Sequence, residues 1–265
     1  MKKYLIILFS WCLISSTVAH AQVPNTPIQW GFKKGHDEQQ AQAGKKLDDL
    51  LEKYDSYYKG DPNKKEIYLT FDNGYENGYT KQILDILKKE QVPATFFVTG
   101  HYLESAAPLV ERMVKDGHII GNHSYYHPDL TKVDDERLAR ELEKVRAATE
   151  KITGEKNMIY LRPPRGVLSE RTLALAKEQG YTHVMWSLAF VDWYTDQQKG
   201  WEYAYNKIMS QIHPGAVILL HTVSKDNADA LEKVIKDLKK KGYTFKSLDD
   251  LTMSKAIDEP MLYGM

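Results

Sequence analysis

Hydrophobic and polar residues change their pattern along the chain near residue 65. From there, short apolar runs rich in β-branched and aromatic residues alternate with longer amphipathic stretches. The runs that predict strands are 67–71, 94–98, 117–120, 158–161, 183–186 and 216–220. The stretches that predict helices are 78–90, 104–116, 134–152, 169–179, 197–211 and 227–241. This alternation favours an α/β fold in which helices cover a parallel sheet, arranged either as a barrel or as a doubly wound sheet.

Several predicted helices have recognisable ends. Asp134 or Asp135 is placed to cap the helix at 134–152, and Ser169 is placed to cap the next one. Glycines follow three of the helices as C-terminal stops, at Gly117, Gly180 and Gly242. The ends and the periodicity therefore predict the same elements.

The N-terminus is typical of a secretory signal peptide. Residues 1–21 begin with a methionine and two lysines, continue with an apolar run and end with small residues at Ala19 and Ala21. The run is short for a bilayer span, so an uncleaved anchor is the less favoured alternative. The only cysteine, Cys12, lies inside this segment. We therefore expect a secreted or extracytoplasmic protein whose mature form has no disulfide and no cysteine-based zinc site.

Residues 22–64 are polar, and a helix is predicted within them at 37–58. We expect this stretch to be an N-terminal extension that lies against one main domain, residues 65–265. A hydrophobic content of 42% is ordinary for a globular chain. The chain has 36 basic and 36 acidic residues, and this balance gives no electrostatic reason to expect nucleic acid or an anionic membrane as a partner.

Polar clusters lie where the predicted strands end. Asp72 and Asn73 precede a glycine after the first strand, and the strand at 117–120 is followed by two histidines. The later clusters are Arg162 with Arg165, Asp192 with Trp193, and His221. Catalytic groups of parallel α/β folds lie at the carboxyl ends of strands and in the loops that follow them. We therefore expect these clusters to meet in one site.

The two histidines, His123 and His127, are four positions apart. If this stretch forms one helical turn, both imidazoles share a face and can bind one divalent metal ion. Each cluster taken alone also has a simpler explanation, such as two polar surface histidines, an ordinary Asp-Asn-Gly turn or a structural salt bridge between Arg162 and Asp192. Their joint occurrence at successive strand ends favours a functional site.

Together the clusters resemble the five ordered motifs of the polysaccharide deacetylases, the NodB-homology or family 4 carbohydrate esterases. The motifs are TFDNG at 70–74, HSYYHP at 123–128, RPPRG at 162–166, DW at 192–193 and LLH at 219–221. The resemblance extends from about residue 66 to the C-terminus. It implies a distorted (β/α) barrel of the NodB-homology type and the metal-assisted hydrolysis of N-acetyl groups on a glycan.

The resemblance implies a general base and a general acid. Asp72 would deprotonate the attacking water, and Arg162 would keep its carboxylate ionised and oriented. His221 would protonate the leaving amine, and Asp192 would hold the imidazole in its charged form.

The resemblance also implies a divalent metal ion, zinc or similar. His123 and His127 would be two of its ligands, and residue 73 would be the third. The family usually has aspartate at this third position, whereas this chain has Asn73, which offers an amide oxygen without a charge. We therefore expect the metal to be held weakly.

Substrate contacts are implied at four positions. The backbone N–H of Arg165 would stabilise the oxyanion, Leu219 and Trp193 would line a pocket for the acetyl methyl group, and Tyr126 would contact the glycan. An aromatic residue is common in the family at the position of Arg165. The additional cation is suited to a substrate carboxylate such as the lactyl group of N-acetylmuramic acid.

These departures and the N-terminal extension resemble the muramic acid deacetylases that prepare peptidoglycan for muramic δ-lactam formation in spore cortex. The implied substrate is N-acetylmuramic acid in peptidoglycan glycan strands without stem peptides, and we expect a monomer in the cell wall or the forespore intermembrane space. Two alternatives stay open. One is a deacetylase for N-acetylglucosamine in peptidoglycan or chitin, and the other is a non-catalytic glycan-binding protein.

Overall fold

The computed structural model describes residues 23–258, so the predicted signal peptide at 1–21 lies outside the described residues. The helices are α1 (Lys45–Lys53), α2 (Thr80–Glu90), α3 (Gly100–Ser105), α4 (Ala107–Lys115), α5 (Asp135–Thr153), α6 (Glu170–Glu178), α7 (Trp201–Met209), α8 (Lys225–Lys240) and α9 (Leu248–Asp258). The strands are β1 (Ile28–Gln29), β2 (Glu66–Asn73), β3 (Thr95–Val98), β4 (Ile119–Asn122), β5 (Tyr160–Leu161), β6 (Val167–Leu168), β7 (Thr182–His183), β8 (Ala216–His221) and β9 (Thr244–Lys246).

One sheet of parallel strands organises the fold. Its hydrogen-bonded order is β7-β5-β4-β3-β2-β8, and β9 pairs with the first residues of β2. Beyond β7 the chain crosses to the other edge of the sheet, where Leu188 forms a parallel bridge to Ile218 of β8. The sheet is therefore curled into a half-barrel with helices outside, which confirms the predicted α/β fold and its distorted barrel.

The two faces of the sheet bury different residues. Along β2, Ile67 and Phe71 belong to the large cluster that includes side chains of the outer helices, whereas Tyr68 belongs to a smaller cluster inside the curl. Successive side chains of a strand point to opposite faces. Asp72 consequently projects into the curl, and Asn73 projects toward the helices.

The predicted helix ends are present. Asp134 accepts a hydrogen bond at 2.7 Å from the first turn of α5, and Ser169 caps α6 in a capping box with Thr172. The three stop glycines adopt a positive φ, with values of 85°, 80° and 83° for Gly117, Gly180 and Gly242. Side-chain and backbone bonds at these ends satisfy groups that the helix itself leaves unpaired.

Two predicted helices were wrong in extent. The stretch at 104–116 contains the end of α3 and the whole of α4, separated at Ala106, whose φ of −132° is not helical. Pro108 lies in the first turn of α4, where its missing N–H is tolerated, but it is unable to continue the preceding helix. In the N-terminal stretch only residues Lys45–Lys53 are helical. No helix within residues 23–258 is long and apolar enough to cross a membrane.

The N-terminal stretch packs against the sheet domain. β1 pairs antiparallel with β6, and Tyr57 forms a parallel bridge to Val184 just beyond β7. Trp30 and Tyr58 are buried in one cluster with Leu168 and Met185 of the main part of the chain. The division at residues 64 and 65 stays a prediction, but residues 23–64 make the contact that the sequence predicted for an extension.

Candidate active site

The polar residues at the strand ends meet at one cavity of about 350 Å³. The carboxyl ends of β2, β4, β5 and β8 lie around it because these parallel strands run side by side in the curled sheet. The residues that line it are Asp72, His123, His127, Arg165, Gly166, Trp186, Trp193, Leu219 and His221. Most of the predicted site residues are therefore brought together at this cavity.

Asp72 and Arg162 form a buried ion pair at the floor of this cavity. Arg162 Nη1 donates to Asp72 Oδ1 at 2.8 Å, and the two side chains are 0% and 8% exposed. Burial is the largest single influence and would raise the pKa of the Asp72 carboxyl, but Arg162, His123 and His221 together outweigh burial and bring the pKa below its ordinary value. The carboxylate is therefore ionised at neutral pH and has its second oxygen free of Arg162.

Arg162 is held from several directions. Its Nε donates to the carbonyl of Val184 at 2.9 Å, and its Nη2 donates to the carbonyl of Met185 at 3.3 Å. The guanidinium lies over the ring of Phe97, 4.2 Å from its centroid, and 5.6 Å from that of Trp186. Arg162 does not line the cavity itself, so its contact with Asp72 is fixed and orients the carboxylate.

The histidine segment does not form the helical turn that would place both imidazoles on one face. It is an irregular loop after β4 in which Ser124 and His127 have positive φ values of 60° and 56°. This loop nevertheless brings the imidazoles of His123 and His127 together, with ring centroids 4.9 Å apart. The left-handed backbone at Ser124 and His127, not a helical turn, bends the chain so that the two imidazoles meet.

His123 has a defined orientation. Its Nδ1 lies 2.8 Å from the carbonyl oxygen of Arg162, which only accepts, so Nδ1 carries the proton. Its Nε2 then has a free lone pair and lies 3.5 Å from Asp72 Oδ2. The imidazole of His127 is also suited to be a ligand, because burial lowers its pKa to about 4 and keeps the ring neutral. Both histidines fit a metal ion beside the base.

Asn73 is not brought to the histidines. It lies on the outer face of β2, where its Nδ2 donates to Thr222 Oγ1 at 2.8 Å. Its Oδ1 is buried and has no hydrogen-bond partner among residues 23–258. No group of three His, Cys, Asp or Glu side chains suited to a metal ion occurs in the described part of the chain. The histidines thus supply two ligands, and the third predicted ligand faces away.

His221 forms a second charged pair at the cavity. Its Nδ1 lies 2.7 Å from Asp192 Oδ1, and its backbone N–H donates to Asp192 Oδ2 at 2.8 Å. Burial lowers the pKa of His221, but Asp192 outweighs burial and the pKa lies above its ordinary value. Trp193 lies edge-on to the imidazole, 5.5 Å between centroids, and is 44% exposed. The site therefore holds a carboxylate and a protonatable imidazole, each with its own partner.

The loop after β5 forms one wall. Arg165 has φ 59° and ψ 8°, which turns the chain toward the cavity. Gly166 has a φ of 66°, and a Cβ there would lie 2.7 Å from the ring of Trp186, so the loop requires glycine at this position. Gln29 of the extension donates to the carbonyl of Arg165 at 2.8 Å. The side chain of Arg165 is exposed and has no acidic partner within residues 23–258.

The other predicted substrate contacts differ in position. Leu219 is buried and lines the cavity. Tyr126 is 59% exposed and lies beside His127 in the chain, outside the cavity lining. Trp186 also lines the cavity, which the sequence analysis did not predict. Its position at the end of a predicted strand would have indicated it.

Comparison with known proteins agrees with this geometry. Residues 59–184 match the family described as "Polysaccharide deacetylase". The peptidoglycan-N-acetylmuramic acid deacetylase PdaA of Bacillus subtilis is 54% identical over 251 residues, which cover 94% of this chain and 95% of that protein. The chain belongs to the polysaccharide deacetylase family. Its resemblance to the muramic acid deacetylases is confirmed by this relative.

Two further comparisons extend the family assignment. The solved structure of B. subtilis PdaA, a family 4 carbohydrate esterase, is 56% identical and superposes with a TM-score of 0.87, covering 88% of this chain and 100% of that one. A peptidoglycan-N-acetylglucosamine deacetylase of Bacillus cereus is 36% identical over 205 residues, 76% of this chain and 73% of that protein. The predicted hydrolase class is thus confirmed at the level of the family, whose members generally depend on a metal ion.

Proposed function

We propose that this protein hydrolyses the N-acetyl group of N-acetylmuramic acid residues in peptidoglycan glycan strands, a step toward muramic δ-lactam in spore cortex. One observation carries the proposal: Asp72 and His221 face a single cavity, and each has its own oppositely charged partner. Amide hydrolysis requires a base that is ionised and an acid that is protonated at the same pH, and the separate partners of Asp72 and His221 favour these two states.

The reaction uses the two pairs in turn. Asp72, kept ionised by Arg162, takes a proton from water, and the water oxygen attacks the acetyl carbonyl carbon. His221, kept charged by Asp192, gives its proton to the amide nitrogen as the C–N bond breaks. The products are acetic acid and the free amine, which ionise in water to acetate and an ammonium group, and the proton on Asp72 is returned to His221 through solvent to complete the cycle.

Neighbouring groups position the acetyl group. The backbone N–H of Arg165 stabilises the oxyanion of the tetrahedral intermediate. Leu219 and Trp193 form an apolar wall for the methyl group, and the exposed ring of Tyr126 contacts the glycan beyond the cavity. These groups come from different parts of the chain, since Arg165 follows β5, Tyr126 follows β4 and Leu219 lies in β8. The substrate is therefore contacted from several sides.

A metal ion would be held by His123 and His127, which present neutral imidazoles beside Asp72. When bound, it polarises the acetyl carbonyl and lowers the pKa of water. Two histidine ligands give a weak site when no carboxylate supplies a third ligand. The site is weak both because Asn73 carries no charge and because its amide is bonded to Thr222 on the other face of β2.

Replacing Asn73 with aspartate is expected to tighten metal binding, because the bond that the Asn73 amide donates to Thr222 is lost and a charged oxygen at the end of β2 is drawn toward the ion beside the histidines. Without metal the new carboxylate is buried and unpaired, so the variant should unfold at a lower temperature than the wild type. Added zinc should raise its unfolding temperature more than it raises that of the wild type. Calorimetric titration would give both dissociation constants, and equal constants would show that residue 73 does not determine the affinity.

Arg165 supports the choice of muramic acid as substrate. A glycan strand without stem peptides has a free lactyl carboxylate on each muramic acid, and an exposed arginine at the cavity wall is suited to bind it. The alternative, an N-acetylglucosamine deacetylase, is favoured by the B. cereus relative of that name. The substrate has no carboxylate in that case, and Arg165 would have no specific partner.

The test is acetate release from purified mature protein. Peptide-free glycan strands, peptide-bearing strands and N-acetylglucosamine oligosaccharides are each incubated with and without a chelator. We expect release mainly from peptide-free strands and a lower rate with the chelator. Preference for the glucosamine substrate would favour the alternative deacetylase, and release from none of them would favour a non-catalytic glycan-binding protein.

Substitution of Arg165 separates the two substrates. Arg165→Ala should lower kcat/KM on peptide-free muramic strands by about 10-fold or more, since a charge-assisted contact to the carboxylate is lost. On N-acetylglucosamine oligosaccharides the same variant should keep its rate, because the backbone N–H is unchanged. Lys132, which pairs with Asp129 outside the cavity, offers a matched control cation. Equal losses on both substrates would contradict a role in substrate choice.

The proposed place of action is outside the cytoplasm, on the cell wall. It is supported by peptidoglycan-acting relatives and by the predicted signal peptide. We further propose that the protein acts as a monomer. Peptidoglycan glycan strands are its expected partner.

A further inference from the structure

The carboxylate of Asp192 is fixed mainly by residues outside its own irregular segment. Its Oδ1 pairs with Nδ1 of His221. Its Oδ2 accepts the backbone N–H of His221 and also Nδ2 of Asn227, the latter at 2.5 Å. The side chain of Asp192 is 1% exposed. Within residues 23–258, Asn227 and His221 are thus the residues that hydrogen-bond this carboxylate.

Asn227 lies in the first turn of α8 and uses one nitrogen for two bonds. Besides Asp192, its Nδ2 donates to the carbonyl oxygen of His221 at 3.2 Å. Both partners only accept, so an amide turned the other way would place its oxygen against two oxygens. The backbone N–H of Asn227 donates to Ser224, which caps α8. The amide is therefore fixed on a rigid element and bridges both members of the pair.

We propose that Asn227 is a positioning residue for the general-acid pair. It holds Asp192 in the orientation in which the carboxylate accepts the Nδ1 proton of His221, so that Nε2 is left for the substrate. Asn227 is buried and does not line the cavity, so it acts only through Asp192 and His221. The inference rests on the proposed function, in which His221 is the acid.

Other charges act on His221 without involving Asn227. They are Asp72 at the end of β2 and Arg162 after β5. Neither is hydrogen-bonded to Asn227, whose side-chain bonds go to Asp192 and to the main chain of His221. A substitution at position 227 therefore changes the Asp192 contact and leaves the base and its arginine in place.

Two variants test this role. Asn227→Leu removes the donor and keeps the branching of the side chain, and Asn227→Asp keeps the shape but places an acceptor against Asp192. We expect kcat to fall by about 10- to 100-fold with KM unchanged, more strongly for the aspartate variant. Ser169→Ala is the control, because it removes the cap of another helix, α6, without touching Asn227 or the Asp192 carboxylate, and it should keep kcat.

A substrate-free measurement accompanies the kinetics. The Nδ1 proton of His221, bonded to a carboxylate at 2.7 Å, should give a far-downfield proton NMR signal that is assigned by its loss in His221→Gln. This signal should move upfield or disappear in both Asn227 variants and stay in Ser169→Ala. If Asn227→Leu does not fold, Asn227→Asp decides by the same readouts.

Wild-type kcat together with an unchanged signal in the Asn227 variants would overturn the proposal, as would an equal loss in Ser169→Ala. An inactive wild type would count against deacetylation itself, and the NMR signal would then decide the role of Asn227.

Discussion

Replacing Asp72 with asparagine is expected to lower acetate release by about 10³-fold or more while the protein stays folded. Asparagine has the same shape and still offers an oxygen to Arg162 Nη1, which lies 2.8 Å from Asp72 Oδ1 in the wild type. An amide is unable to take the proton of the attacking water. We therefore expect the loss in kcat and little change in KM, measured as initial rates of acetate release.

A matched aspartate outside the cavity provides the control. Asp116 has a side chain that is 4% exposed and is paired with Arg112 and Lys88. Asp116→Asn removes a paired, nearly buried carboxylate in the same way, but it should keep the wild-type rate. Should Asp72→Asn release acetate as fast as the wild type, the base would have to be another group.

The sequence predicted the assembly of the site because parallel strands place their carboxyl ends together. Asp72, His123, Arg162 and His221 all lie at or directly after strand ends, and the structure brings them to one cavity region. The order of strands in the sheet did not have to be known for this. The prediction needed only that the strands be parallel members of one sheet.

Conformations inside the loops were less predictable. Ser124 and His127 have a positive φ although neither is a glycine or an asparagine, so the sequence alone did not distinguish this loop from a helical turn. Asn73 shows a different limit. Alternation along β2 places neighbours on opposite faces, so Asp72 and Asn73 are separated by the strand itself. Asn227 lies far from the motifs in sequence, and only the tertiary fold brings it to Asp192.

Replacing Arg162 with methionine is expected to cost about 3–5 kcal/mol of stability and most of the activity. Methionine has a comparable length and fills the space over Phe97, but it leaves the Asp72 carboxylate buried without its partner. Burial, the largest influence on this carboxyl, is then opposed only by His123 and His221 and raises the pKa of Asp72 above its ordinary value. Denaturant unfolding measures the first effect, and the acidic limb of the rate profile, which should move to higher pH, reports the second.

The stability loss should depend on pH with a defined sign. In the wild type, the lowered pKa of Asp72 contributes stability that is present above the unfolded-state pKa of about 4 and is lost as pH falls through the folded-state pKa. In Arg162→Met the raised pKa means that stability is lost as the pH rises. The difference between the two proteins should therefore be largest at neutral pH and should shrink toward pH values of about 4 and below.

The double variant Asp72→Asn/Arg162→Met distinguishes loss of the pair from exposure of an unpaired charge. It removes both charges, so it should recover about 2 kcal/mol relative to Arg162→Met, and its stability should vary less with pH. Acetate release should stay absent, because the base is missing. If the two single losses simply add, Asp72 and Arg162 are not coupled in the fold. Recovery of stability without activity would instead show that folding does not require the buried Asp72–Arg162 pair. The chain would then retain the pair because the reaction needs an ionised base at this position.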